Sequence, residues 1–265
     1  MLFSRFFYLF AIKYFMGRIF LAVWIPILFL TPLSAFDDEV NPEEIIRKFA
    51  QKETEFKKLW EQYTYTQKVE FQVLSPSGAV RERRLMEIEV YFTTDGKRQT
   101  RVISDRGELR SVGVSKEDIS DAVGLQPFVL TSDQLPEYKI EYKGEERVDE
   151  LDTYVFEVEP RKIKKDKRYF KGRIWVDKID FQIVMTRGKA VPDYRDNKFP
   201  EFETVREQID GVHWFPTWTK ADDTLSFGDL FNRREVHVRQ FITYENYKKF
   251  EVGTTIRYGK VPEDE

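Results

Sequence analysis

The sequence predicts a mainly β protein. The expected architecture is an incomplete, half-open antiparallel β-barrel of about ten or eleven strands, with an N-terminal amphipathic helix and a short helical crossover covering it. Three observations carry that prediction. Apolar and polar residues alternate with period two through most of the chain beyond Gln62, as in half-buried strands. Asp95-Gly96 and Asp210-Gly211 fall between alternating stretches, where they form primed hairpin turns. Aromatics make up 15% of the chain and charged residues 34%, which suits strands with one apolar and one wet face. A sheet of so many strands curls toward a barrel.

Taken in order, residues 1–35 carry Arg5, Lys13 and Arg18 and no acid. The uncharged run IFLAVWIPILFL follows, then TPLSA and the acids Asp37, Asp38 and Glu39. A basic flank, a short apolar stretch and a small residue make a secretory signal, with cleavage after Ala35 and a single domain over 36–265. Met16 is a second possible start, and Leu33 stands where a small residue is usual. The alternative is an uncleaved anchor over 19–36, at the lower edge of spanning length. Both readings take the rest of the chain out of the cytoplasm.

Asn41-Pro42-Glu43-Glu44 is a helix start: a cap, a proline at the first helical position, and acids at the positive end of the dipole. Ile45, Phe49, Phe56, Leu59, Trp60 and Tyr63 make one stripe, so the spacing predicts a helix over about 42–61. That stripe either packs on the sheet or plugs an open barrel. From Tyr63 the period becomes two, with Tyr65, Val69, Phe71 and Val73 on one face. Ser75-Pro76-Ser77-Gly78 turns the chain into a strand bearing Met86, Ile88, Val90 and Phe92. Strands are expected near 98–104 and 108–114, separated by Asp105-Arg106-Gly107. Ser115 to Val123 reads as a short helix ended by Gly124, a crossover over one mouth of the sheet.

Strands return over 138–148 and 153–159, with a turn at Asp149-Glu150. RKIKKDKR at 161–168 has six basic residues and one acid, a solvated hairpin loop or a docking patch for an acidic partner or anionic lipid. Residues 169–191 form a hairpin whose first strand, with Phe170, Ile174 and Val176 alternating with Tyr169, Arg173 and Trp175, is apolar on both faces. Further strands are expected near 202–209, 212–220, 233–245 and 250–258. No solenoid-length repeat and no linker divides the chain.

Much chemistry is absent. With no cysteine there is no disulfide, thiolate metal site, cysteine nucleophile or lipidated N-terminal cysteine. Three of the 43 Lys and Arg residues fall within 1–35, leaving 40 against 46 Asp and Glu, a balance that argues against a nucleic-acid binder. His213 and His237 lack partners at metal-site spacing, and no nucleophile elbow, phosphate loop or dinucleotide fingerprint occurs. Asp222-Asp223 point to opposite faces of a strand and, followed by Thr224, read as its end. Nothing asks for an enzyme, a metal or a cofactor. A hydrolase would need His213 beside Asp222 or Asp223.

The aromatic faces remain. Trp214, Pro216 and Trp218 share one parity in 212–220, and Pro216 marks an edge or bulge because it cannot donate to the ladder. Their rings are either core or the wall of a cavity for acyl chains. On the second reading Trp175, Trp214, Trp218, Phe71 and Phe92 are the candidate lipid-binding residues. Each buried chain carbon contributes about 0.8 kcal/mol.

The export signal, the first helix leading into YTYTQKVEFQV, and the stretches GRIWVDKIDFQIV and EQIDGVHWFPTW together resemble a divergent branch of the outer-membrane lipoprotein-sorting proteins, the LolA-like periplasmic carriers. The likeness covers most of residues 41–258 and lies in structural strands rather than a catalytic signature. It implies a half-barrel whose interior takes lipoprotein acyl chains, received from an inner-membrane transporter and delivered to an outer-membrane acceptor. It implies no cofactor and no catalysis, and a monomer is expected. Related folds serve as envelope sensors that report lipid or lipoprotein state to a membrane partner, and this is the alternative function.

Overall fold

The computed structural model describes residues 40–250 except 94, 166, 194–197 and 229–232. The chain divides into two units, 1–40 and 41–265, and the fold below is that of the second. The expected signal and the bulk of the expected strand over 250–258 lie outside the described residues.

Helix α1 runs Pro42–Trp60, and the Asn41 side chain accepts the Glu44 amide at 3.2 Å as its cap. Ten strands follow: β1 Tyr63–Leu74, β2 Val80–Phe92, β3 Arg98–Glu108, β4 Tyr138–Val148, β5 Leu151–Pro160, β6 Tyr169–Asp177, β7 Ile183–Val191, β8 Phe202–Gln208, β9 Trp214–Phe227 and β10 Arg234–Lys249. Helix α2, Lys116–Gly124, lies between β3 and β4. The strands form one antiparallel sheet in the order β3-β2-β1-β10-β9-β8-β7-β6-β5-β4, not closed into a barrel. Chain neighbours therefore pair everywhere except between β3 and β4. Among the described residues the first strand joins the last, from Tyr63 opposite Lys249 to Leu74 opposite His237.

α1 covers one face, here called inner. Phe49 packs on Phe156 of β5 at 5.5 Å, and Phe56 meets Phe215 of β9 edge-on at 5.4 Å. Trp60 stacks on Tyr65 of β1 at 5.8 Å. The helix thus crosses the strands instead of following one. Burying each of these rings contributes about 1.5–3 kcal/mol relative to water. Ala122, Ile119 and Val123 of α2 join the same cluster. Phe128, beyond α2, stacks on Phe170 at 4.2 Å. β6 is buried on both faces as expected, except at Lys171 and Arg173, which are exposed.

Four expectations differ in detail. β3 runs unbroken through Asp105-Arg106-Gly107, and 109–114 is not a strand. Gly107 has φ of 84°, and a Cβ there would fall 2.2 Å from the Arg83 carbonyl oxygen. That glycine permits close approach within a ladder, not a turn. Asp222 and Asp223 do not end a strand, because β9 continues to Phe227. His237 and Arg239 on β10 hold Asp222 in place there. The strand expected over 233–245 extends to Lys249 to pair with Tyr63. Gly124 is the last residue of α2, not the residue after it.

Candidate ligand cleft

At the end of the sheet where β1 and β9 finish and β10 begins, the inner face has a cleft. Its floor is Phe71, Leu225 and Val238, from three adjacent strands. Leu109, Val112 and Val114 form one wall, and Phe199 and Pro200 the other. The cleft has a volume of about 70 Å³. It opens into a recess of about 670 Å³ that shares Val112, Val114 and Phe227 and is rimmed by Arg110, Ser111, Ser115 and Arg234.

The first wall is irregular backbone, so its polar groups need partners. Glu82 of β2 supplies them: its carboxylate accepts the Arg110 amide at 2.7 Å, the Ser111 amide at 2.9 Å and the Ser111 hydroxyl at 2.5 Å. These bonds, the Ser111 hydroxyl foremost, hold the Glu82 carboxyl below the usual range. Next, Ser115 and Asp118 form a capping box, each side chain accepting the other's amide, and α2 starts at the cleft mouth. Asp121 of α2 is buried, and burial pushes its carboxyl up to about 6 against the pull of Arg168, 3.6 Å away. The Arg168 guanidinium also donates to the Pro192 carbonyl at 2.7 Å and lies 4.7 Å from the Phe199 ring. One arginine therefore links α2 to a cleft wall.

Away from the cleft, the inner face holds a buried ion pair. Glu53 sits in the apolar stripe of α1, and both guanidinium nitrogens of Arg206 on β8 donate to it, at 3.0–3.2 Å. The Ile183 amide donates to it at 3.2 Å, and Arg206 also donates to the Phe128 carbonyl. Burial pushes the Glu53 carboxyl up, with Arg206 opposing it. The pair ties α1, β7, β8 and the segment after α2 into one unit.

Of the five residues singled out for lipid contact, Phe71 is on the cleft floor. Trp175 follows Ile174, whose cross-strand partner Phe156 packs on α1, so Trp175 points to the outer face. There it packs with Val155, Val184 and Trp214, and its ring nitrogen donates to Glu146 at 2.8 Å. Trp214 donates to Asp180 at 2.7 Å. Trp218 is half-buried beside Thr219, whose hydroxyl is inside with those of Thr204 and Tyr244. Phe92 stacks on Phe250 at 4.5 Å, at the opposite end of β2. The cleft residues outside that set include Leu109, Val112, Val114, Phe199, Leu225 and Val238. For the first four the signal is apolar side chains in 109–114 and 199–200, which belong to no strand or helix; Leu225 and Val238 sit in the alternation of β9 and β10 and carry no separate signal.

The histidines have partners the sequence did not supply. His213 Nδ1 lies 2.9 Å from Asp210 Oδ2, in the β8–β9 turn. His237 Nε2 lies 2.6 Å from Asp222 Oδ1, with Arg239 on the other oxygen at 2.7 Å. Burial pushes both aspartates up, but bonds from His213, and from His237 and Arg239, outweigh it and leave them lowered. Asp222 thus meets His237, not His213. Among the described residues no three His, Cys, Asp or Glu side chains gather to hold a metal. No helix among them is long and apolar enough to cross a membrane. The cleft itself offers an apolar slot, the Gln240 amide and a mouth lined by Arg110, Arg234 and Asp118, an arrangement that can hold an apolar tail.

No family model and no curated protein matches the chain. Solved structures do. A DUF1329 family protein from Desulfovibrio piger is 17% identical with a TM-score of 0.41, over 82% of this chain and 96% of that one. The domain of a putative outer membrane lipoprotein-sorting protein from Vibrio parahaemolyticus is 12% identical with a TM-score of 0.37, over 80% and 95%. The chain is similar as well to a LolA superfamily protein from Nitrosomonas europaea, at 16% identity and a TM-score of 0.33 over 80% and 95%.

Proposed function

We propose that this protein is an exported, lipid-binding carrier that holds acyl chains of lipoproteins on the inner face of its open sheet and moves them toward the outer membrane. The supporting observation is the cleft: an apolar slot with Phe71, Leu225 and Val238 as its floor, opening between arginines. Export by residues 1–35, a single domain over 36–265, and exchange with an inner-membrane transporter and an outer-membrane acceptor belong to the same proposal. It needs no cofactor and no catalytic group.

The size of the slot shapes the mechanism. Its 70 Å³ takes only the end of a chain. A longer tail enters by lifting 109–114 off the sheet, which breaks the bonds to Glu82. Each methylene then buried contributes about 0.8 kcal/mol, so a few offset those bonds.

The test is binding of a dansyl-labelled fatty acid to the purified protein, alongside native mass spectrometry for co-purified acylated species. Phe71→Glu places a charge on the floor and should abolish probe binding while the protein stays folded. Absence of binding to any acyl probe by the parent protein sinks the proposal.

A further inference from the structure

Residues 161–168 join β5 to β6 at the same end of the sheet as the cleft: Tyr169, which follows them, pairs with Val191, and from there the chain leads to Phe199 and Pro200 on the cleft wall. Three of the six cations in this hairpin have partners. Lys164 and Lys167 share Glu137, at 2.8 and 2.6 Å, and Arg168 reaches Asp121. Arg161, Lys162 and Lys165 are exposed, and among the described residues none has a carboxylate within ion-pair distance. On the flanking strands, Lys139, Lys143, Lys171 and Lys189 each lie within 3.1 Å of one. Between the unmatched cations stands Ile163, 45% exposed. The cleft mouth adds Arg234, which lies 6.0 Å from the Phe227 ring, and Arg110, which is paired with Glu108 at 3.1 Å.

We propose that the 161–168 hairpin docks the protein on an anionic lipid surface, which sets the cleft mouth against the bilayer. Charge complementarity selects this occupant. Arg161, Lys162 and Lys165, without ion-pair partners among the described residues and set around one exposed apolar side chain, suit a headgroup layer, where cations gain from the surface potential and the isoleucine enters the acyl boundary. A polar protein surface would leave Ile163 without an apolar partner. The docking itself stands independently of the acyl-binding reading; what it achieves, delivery of a tail into or out of the cleft, rests on that reading.

Vesicle sedimentation with the full chain tests this. Binding should be strong to vesicles containing phosphatidylglycerol, weak to phosphatidylcholine alone, and reduced by salt. Reversing Arg161, Lys162 and Lys165 to Glu should weaken partitioning by roughly a hundredfold or more. Ile163→Ser should weaken it by a smaller factor with the charge unchanged. Reversing Lys52, Lys68 and Arg101, which sit in ion pairs away from the hairpin, changes the net charge equally and should leave most binding intact. Equal binding to both vesicle types, or equal losses in both triple variants, would overturn the proposal. So would hairpin-dependent capture of an acidic protein with no vesicle binding. Dansyl fatty-acid binding, measured on the same variants, separates the two readings: vesicle docking without probe binding leaves this inference standing and removes the acyl carrier.

Discussion

Two stretches of one sheet face differ in what covers them. Near one end α1 crosses from β5 to β1, with Phe49, Phe56 and Trp60 each on a ring of the sheet and the Glu53–Arg206 pair sealed beneath it. At the other end the cover is 109–114, irregular chain whose amides are held by Glu82. A helix satisfies its own backbone and can bring a stripe of side chains into contact; a loop must spend side chains on backbone groups and packs less completely. α1, with 19 residues, is about 28 Å long. Lying across the strands, it cannot also cover their far ends. The closed region holds the fold together, and the loosely covered one is where the proposed ligand would enter.

The largest effect that would break this contrast lies in the closed region. Glu53→Ala strands the Arg206 guanidinium in the interior and should cost about 3–5 kcal/mol in urea denaturation. A loss comparable with a surface substitution would mean that α1 is not the keystone of that half. Gly172→Ala comes next. Gly172 faces Gly188 across β6 and β7, and an added Cβ would fall 2.1 Å from the Arg187 carbonyl oxygen. We expect a loss of about 1–3 kcal/mol from backbone displacement. On the open side Phe71→Ala enlarges an existing cleft and should cost less than about 1.5 kcal/mol, yet measurably weaken the acyl probe. A stability loss as large as that of Glu53→Ala would make Phe71 core and erase the distinction.

The smallest effect is one of pH. The Asp121 carboxyl is raised by burial to about 6, above its unfolded value. The native state therefore binds the extra proton between about pH 4 and 6, and this group's contribution to stability falls as pH rises through 6. Asp121→Asn should remove that part of the pH dependence, read as a flatter melting temperature between pH 4 and 7. An unchanged profile would place the titration elsewhere.

Elements with a strong local signal were legible. Asn41-Pro42, the alternation of β1 and β2, and the turns at Asp95-Gly96 and Asp210-Gly211 state their conformation in a few residues. Glu53 was legible in hindsight as the charged residue inside an apolar stripe, but its partner lies on a strand far along the chain. The cleft was less visible for the same reason. Its floor comes from β1, β9 and β10, and its walls from two connections with no periodicity to read. The aromatics that drew attention at 212–220 are conspicuous in sequence, yet Trp214 joins Trp175 on the outer face. Alternation shows that two faces exist; only the sheet's partners show which face is the inside.

The pairing of β1 with β10 has a consequence for how the chain folds. This ladder joins the first and last strands among the described residues, so its formation waits on a longer loop closure than any other pairing in the sheet. During synthesis β1 has only β2 beside it until β10 emerges, and the β4–β9 meander lacks the strand that attaches it to β1. Folding is therefore late and slow by topology alone. A sheet built this way stays in two parts until β10 is present, and loss of β10 would leave those parts apart, each with a fresh edge.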